Sequence, residues 1–72
     1  METKKDKFVR VAESRTNKII AMVRLLGNCA NKSTYEYNEK DVGKIFAALD
    51  HEIKAAKSKF FENNNSPTRF KL

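Results

Sequence analysis

The stretch Val42-Gly43-Lys44-Ile45-Phe46-Ala47-Ala48-Leu49-Asp50-His51-Glu52-Ile53-Lys54-Ala55-Ala56-Lys57-Ser58-Lys59-Phe60 decides the fold. Its residues Val42, Phe46, Leu49, Ile53, Ala56 and Phe60 recur at spacings of 4, 3, 4, 3 and 4, with Ile45 beside them. Successive residues of an α-helix turn through about 100°, so these six collect on one narrow stripe, the seam of a helix that packs against another. Asn38 is a good N-cap, because its side chain can accept an orphan backbone N–H. Glu39 and Asp41 complement the positive end of the helix dipole. Gly43 weakens the helix by up to about 1 kcal/mol relative to alanine. The spacing predicts a helix over about residues 39–61.

The same arithmetic works upstream. Val9, Ala12, Thr16, Ile19, Val23 and Leu26 run at spacings of 3, 4, 3, 4 and 3, which is again one helical face. Phe8, Val11 and Met22 widen it on one flank and Ile20 on the other, with Arg15 as the main interruption. The arc covers roughly half the cylinder, wide enough to bury against more than one neighbour. Gly27 stands where a left-handed C-terminal cap is expected, and Arg24 suits the negative dipole end. A helix over about residues 5–26 follows. Asp6 with Arg10 and Asp50 with Lys54 are favourably ordered pairs four residues apart, worth a few tenths of a kcal/mol each. Beyond Phe61 the run Glu62-Asn63-Asn64-Asn65-Ser66-Pro67-Thr68-Arg69 is composed to end a helix. It predicts a folded part over 1–62 and a disordered tail over 63–72.

Size then constrains assembly. Ordering 72 residues costs on the order of 1.5 kcal/mol each, which one small core barely offsets. The single cysteine excludes an intramolecular disulfide, and one Cys with one His excludes a self-contained four-ligand zinc site. A partner chain is the remaining remedy. Two helices of about 33 Å joined by residues 27–38 are expected to fold back as an antiparallel hairpin. A lone hairpin leaves half of the wide first stripe in water. The expected fold is therefore all-α: an antiparallel two-helix hairpin that dimerises into a four-helix bundle.

No apolar run approaches the ~20 residues needed to cross a bilayer. The start Met1-Glu2-Thr3-Lys4-Lys5-Asp6-Lys7 is charged and leads into no apolar signal core. With an unpaired cysteine besides, the expectation is a cytoplasmic protein with no membrane partner.

The connection Gly27-Asn28-Cys29-Ala30-Asn31-Lys32-Ser33-Thr34-Tyr35-Glu36-Tyr37-Asn38 is long for a link between helices, where 2–8 residues are usual. Asn28, Asn31, Ser33 and Thr34 can bond nearby backbone and make local turns. Two readings of the tyrosines stand: Tyr35 or Tyr37 folds back to plug the open end of a hairpin, or both are exposed beside Lys32 as stacking and hydrogen-bonding groups.

The strings Leu25-Leu26-Gly27-Asn28-Cys29-Ala30-Asn31-Lys32-Ser33, Tyr35-Glu36-Tyr37 and Asp41-Val42-Gly43-Lys44-Ile45-Phe46 resemble a group of small helical proteins carried by plasmids, phages and conjugative elements of Gram-positive bacteria. The resemblance spans about residues 7–60. It implies a bacterial mobile-element setting, and it brings no activity, cofactor or site residue.

No catalytic constellation stands out. His51 is the only histidine, and its angle places it with Lys40, Lys44 and Lys54, away from the seam. Cys29 lies in the connection, where it reads as a small semi-buried residue or an incidental thiol, so a Cys–His nucleophile pair would need unusual folding. The acids are scattered, no glycine-rich phosphate loop exists, and the expectation is a protein that is not an enzyme and needs no cofactor or metal. Basic surfaces remain. With 15 Lys+Arg against 9 Asp+Glu, the net charge of +6 favours anionic partners.

Lys7, Arg10 and Lys18 line the side of the first helix opposite its stripe, and Lys40, Lys44 and Lys54 the outer face of the second. Together with Lys32, Tyr35 and Tyr37 they form the candidate binding surface. Such faces also occur as plain solvated surface. Three expectations follow: a homodimer, a phosphate-contacting nucleic-acid binder with salt-sensitive and largely nonspecific affinity, or a module docking an acidic host or rival protein.

Overall fold

The structure, a computed structural model, describes residues 1–65, with backbone alone for residues 62–65. Its elements are α1 (Lys4–Gly27), a 3-10 turn (Asn28–Ala30) and α2 (Glu39–Asn65), and the described residues include no strand. The chain is all-α with two long helices, in two units divided after Glu36, and no helix among the described residues is long and apolar enough to cross a membrane.

In the first unit, α1 starts on a cap that the apolar spacing does not reveal. Thr3 is extended, its Oγ1 accepts the Asp6 N–H at 3.0 Å, and the Asp6 carboxylate accepts the Thr3 N–H at 3.2 Å. Two of the helix's orphan donors are thus satisfied reciprocally. That arrangement commits Asp6, so the expected Asp6–Arg10 pair does not form. Arg10 turns instead to Glu2, its Nε–H donating to Oε2 at 2.8 Å and its Nη2–H to Oε1 at 3.2 Å.

The other end of α1 also departs from expectation. Gly27 has φ −59° and ψ −27° and stays inside the right-handed helix, and no described residue has a positive φ. The reason is that the chain tightens here where a left-handed cap would have reversed it. The backbone N–H of the Asn28 cap reaches the Leu25 and Leu26 carbonyls, and the 3-10 turn carries the chain on to Asn31. Such a turn satisfies terminal carbonyls without a left-handed residue.

In the second unit, α2 begins as expected, with Asn38 Oδ1 accepting the Asp41 N–H at 2.8 Å and the Asn38 carbonyl accepting the Val42 N–H at 3.2 Å. It runs to Asn65, past residue 61. Asparagine lowers helix propensity without blocking it, unlike proline, so Asn63–Asn65 continue the helix. The rest of the expected tail, residues 66–72, lies outside the described residues. No ion pair joins Asp50 to Lys54 among the described residues.

No described side chain is buried. Val11, Ala12 and Leu26 in α1, and Tyr37, Val42 and Leu49 in the second unit, are half-buried. Ile19 and Ile53 are each 59% exposed and Met22 63%. Backbone ladders and caps therefore carry the local order of each helix, and helices held in that way are marginal in water. Replacing Thr3 or Asn38 by alanine is accordingly expected to lower stability by about 1 kcal/mol each. Loss of helical signal in far-UV circular dichroism and a lower denaturation midpoint check this; an unchanged midpoint would show that the caps are dispensable.

Candidate binding surface

The basic residues divide among three backbone settings. On α1, Lys7, Arg10 and Lys18 project from the side opposite the apolar stripe, and all three are exposed. They are not equivalent. Arg10 is held bidentate by Glu2, a geometry that matches guanidinium to carboxylate, and the hydrogen bonds it donates to the Glu2 carboxylate raise its pKa above the ordinary arginine value. The pair sits on the surface, at 62% and 41% side-chain exposure, where such contacts contribute little to stability. Its effect is on charge: Glu2 offsets a cation that sequence reading assigns to the binding face. Glu2 escapes that reading because it precedes the helix, where the three- and four-residue rule does not apply.

Residues 31–35 form a compact turn built by one side chain. Asn31 Oδ1 accepts the Ser33 N–H at 3.0 Å, and the Asn31 carbonyl accepts the N–H groups of Thr34 and Tyr35 at 3.1 and 2.9 Å. This is the local side-chain-to-backbone bonding expected of asparagine in a turn. It fixes the backbone of Lys32 and Tyr35, whose side chains are exposed, Tyr35 by 50%. In the second unit Tyr37 is half-buried, so the two tyrosines differ in the surface each offers.

On α2, Lys40, Lys44 and Lys54 are exposed with His51, and the helical angle gathers all four on the side opposite Val42, Leu49 and Ile53. Asp41 and Glu52 lie beside the stripe on one edge and Asp50 on the other, leaving the lysine face clear of acids over residues 40–58. Cys29 is exposed in the 3-10 turn, which rules out the semi-buried position and leaves the incidental thiol of the two expectations. A turn carrying no core contacts has nothing to cover it. Among the described residues no three His, Cys, Asp or Glu side chains come together as metal ligands. The arrangement offers cations and one open tyrosine ring to an anionic or aromatic ligand. Comparison of the chain with protein-family models, with curated proteins and with solved structures finds no match.

Proposed function

We propose that this chain is a small basic binding protein without catalytic activity that pairs with itself and offers its lysine faces to nucleic-acid phosphates. The observation that carries the reading is the division of α2 into an apolar stripe and an exposed lysine face on opposite sides. One element thereby supplies an assembly surface and an anion surface that do not compete. Two apolar stripes of similar length joined by residues 28–38 support folding back as an antiparallel hairpin, and the wide α1 stripe favours closing two hairpins into a four-helix bundle. An accessory or regulatory role in the cytoplasm of a bacterium carrying a mobile element accords with the resemblance of residues 7–60.

A second reading rests on a separate observation. Phe8, Ile19 and Met22 of α1 are each at least 55% exposed, and an apolar helical face of this kind also fits the groove of a host or rival protein.

Self-association is tested by sedimentation at micromolar concentration, where a dimer is expected and a folded, cooperative monomer overturns it. In the dimer, Leu49→Ala is expected to cost about 2–5 kcal/mol by leaving a cavity in the seam; a change below ~0.5 kcal/mol would place the seam elsewhere.

Nucleic-acid binding is tested by titrating duplex and single-stranded DNA across a range of salt. Affinity is expected to fall steeply, with a slope near the number of neutralised phosphates. The combined Lys40→Glu, Lys44→Glu and Lys54→Glu variant is expected to lose binding and keep its helical content. Tyr35→Ala with Tyr37→Ala is expected to weaken single-strand binding more than duplex binding, since stacking contributes about 1–3 kcal/mol per base. Absence of binding at about 50 mM salt, where phosphate contacts are strong, overturns this part and leaves the protein-docking reading.

A further inference from the structure

The two edges of the α2 stripe carry charge in a repeated order. Asp50 and Lys57 lie along one edge and Glu52 and Lys59 along the other, each acid two helical turns before its base. All four side chains are exposed, and among the described residues none of them is in an ion pair. Between the edges run Leu49, half-buried, and Ile53, 59% exposed. Acid first and base second, on both edges of one apolar seam, is the pattern of a surface complementary to itself when a copy is turned end over end.

We propose that α2 pairs with α2 of a second copy of this chain, antiparallel, about an axis passing between Lys54 and Ala55. The proposal rests on the self-association reading above and deepens it by fixing which helix pairs, in which direction and in which register. In that register Asp50 faces Lys57 of the partner subunit, and Glu52 faces Lys59 of the partner subunit. Two-fold symmetry repeats both contacts, since such an interface meets itself. In the seam Ile53 packs on Ala56 of the partner subunit and Leu49 on Phe60 of the partner subunit. Whichever edge lies toward the second copy in a four-helix arrangement, the charges met are opposite.

The alternatives match the flanking charges less well, although the antiparallel register one heptad away overlaps more of the apolar seam. Sliding the antiparallel copy by one heptad toward the N-terminus sets Glu52 against Glu52 of the partner subunit and Asp50 against Asp50 of the partner subunit. Running the copies parallel and in register pairs Glu52 with Lys57 of the partner subunit but turns Asp50 toward Ile45 of the partner subunit. Flanking charges of this kind select partner and orientation more than they add affinity. Lys40, Lys44 and Lys54 take no part in the pairing and stay on the outside, where the proposed phosphate contacts need them.

Two measurements test the pairing. The first uses two charge variants, Asp50→Lys with Glu52→Lys, and Lys57→Glu with Lys59→Glu. Each alone sets like charges face to face, and its dimer dissociation constant is expected to rise by about tenfold or more, within reach of four lost contacts at an exposed site. Mixed in equal amounts, the two are expected to form a heterodimer at near the original affinity.

The second measurement needs no charge change and so covers the case in which those variants lose helicity. In a Cys29→Ser background, spin labels are attached to a cysteine replacing Lys44 or Ser58, both on the outer face. In the antiparallel register the two Lys44 positions are offset by about 30 Å along the axis and the two Ser58 positions by about 10 Å, at 1.5 Å per residue. A clearly longer distance between labels at position 44 than at position 58 is expected. Equal distances at the two positions, or charge variants that dimerise like the parent chain, overturn the pairing while leaving self-association standing. A monomer at every concentration overturns both.

Discussion

Everything about this chain turns on the fate of its apolar stripes. Each helix satisfies its own backbone through the i→i−4 ladder and an N-terminal cap, and α1 adds a terminal turn, so in the described residues hydrogen bonding places no demand on a neighbour. The side chains do. Val9, Ile19 and Val23 on α1 and Phe46 and Ile53 on α2 stand at 46–59% exposure, and leaving such groups in water forgoes roughly 25 cal/mol for each Å² that burial would remove. Local order is therefore complete within each helix, while the main stabilising force of a folded protein is unspent. Packing against another helix would release it, and under the proposed pairing the charges that flank the α2 stripe select the partner and its direction.

The basic faces are shaped by the same economy of elements. A helix that gives one side to burial has its opposite side for solvent, and lysines are well suited there because their long stems lie along the surface while the ammonium group stays hydrated. On α2 this leaves Lys40, Lys44 and Lys54 on a face that carries no acid over residues 40–58. On α1 the equivalent face is modulated by Glu2, which takes up Arg10 and leaves Lys7 and Lys18 as its other cations. The two helices thus present cationic surfaces of different strength, although their count of basic residues suggests similar ones. Tyr35, set by the Asn31 turn, adds the one well-exposed aromatic residue outside the helices among the described residues.

Much of the helical architecture was legible from residue spacing. The stripes of α1 and α2, the Asn38 cap and the turn-forming character of Asn31 all follow from periodicity or from short-range side-chain chemistry, and both act over a few residues. What escaped the reading involved competition between local options. Thr3-Lys4-Lys5-Asp6 contains a capping box, but in it Asp6 had two uses, and the backbone N–H of Thr3 prevailed over Arg10. Gly27 was compatible with a left-handed cap and with continued helix, and the tightening turn at Asn28–Ala30 decided between them. Three consecutive asparagines were weak helix formers with no barrier to continuing. The sequence assigned the cations to faces by helical angle, and those on α1 and α2 are exposed, yet it could not show that Glu2, before the helix, holds Arg10.

The exposure of the stripes has a calorimetric consequence. The heat capacity change of unfolding arises from newly hydrated apolar surface, at about 0.45 cal/mol/K for each Å² exposed. A chain whose described side chains include none that is buried has little such surface left to expose. Helices that stay apart melt as peptide helices do, in a broad, weakly enthalpic transition with almost no step in heat capacity. Any sizeable step then measures apolar area covered where helices pack, within one copy or between copies.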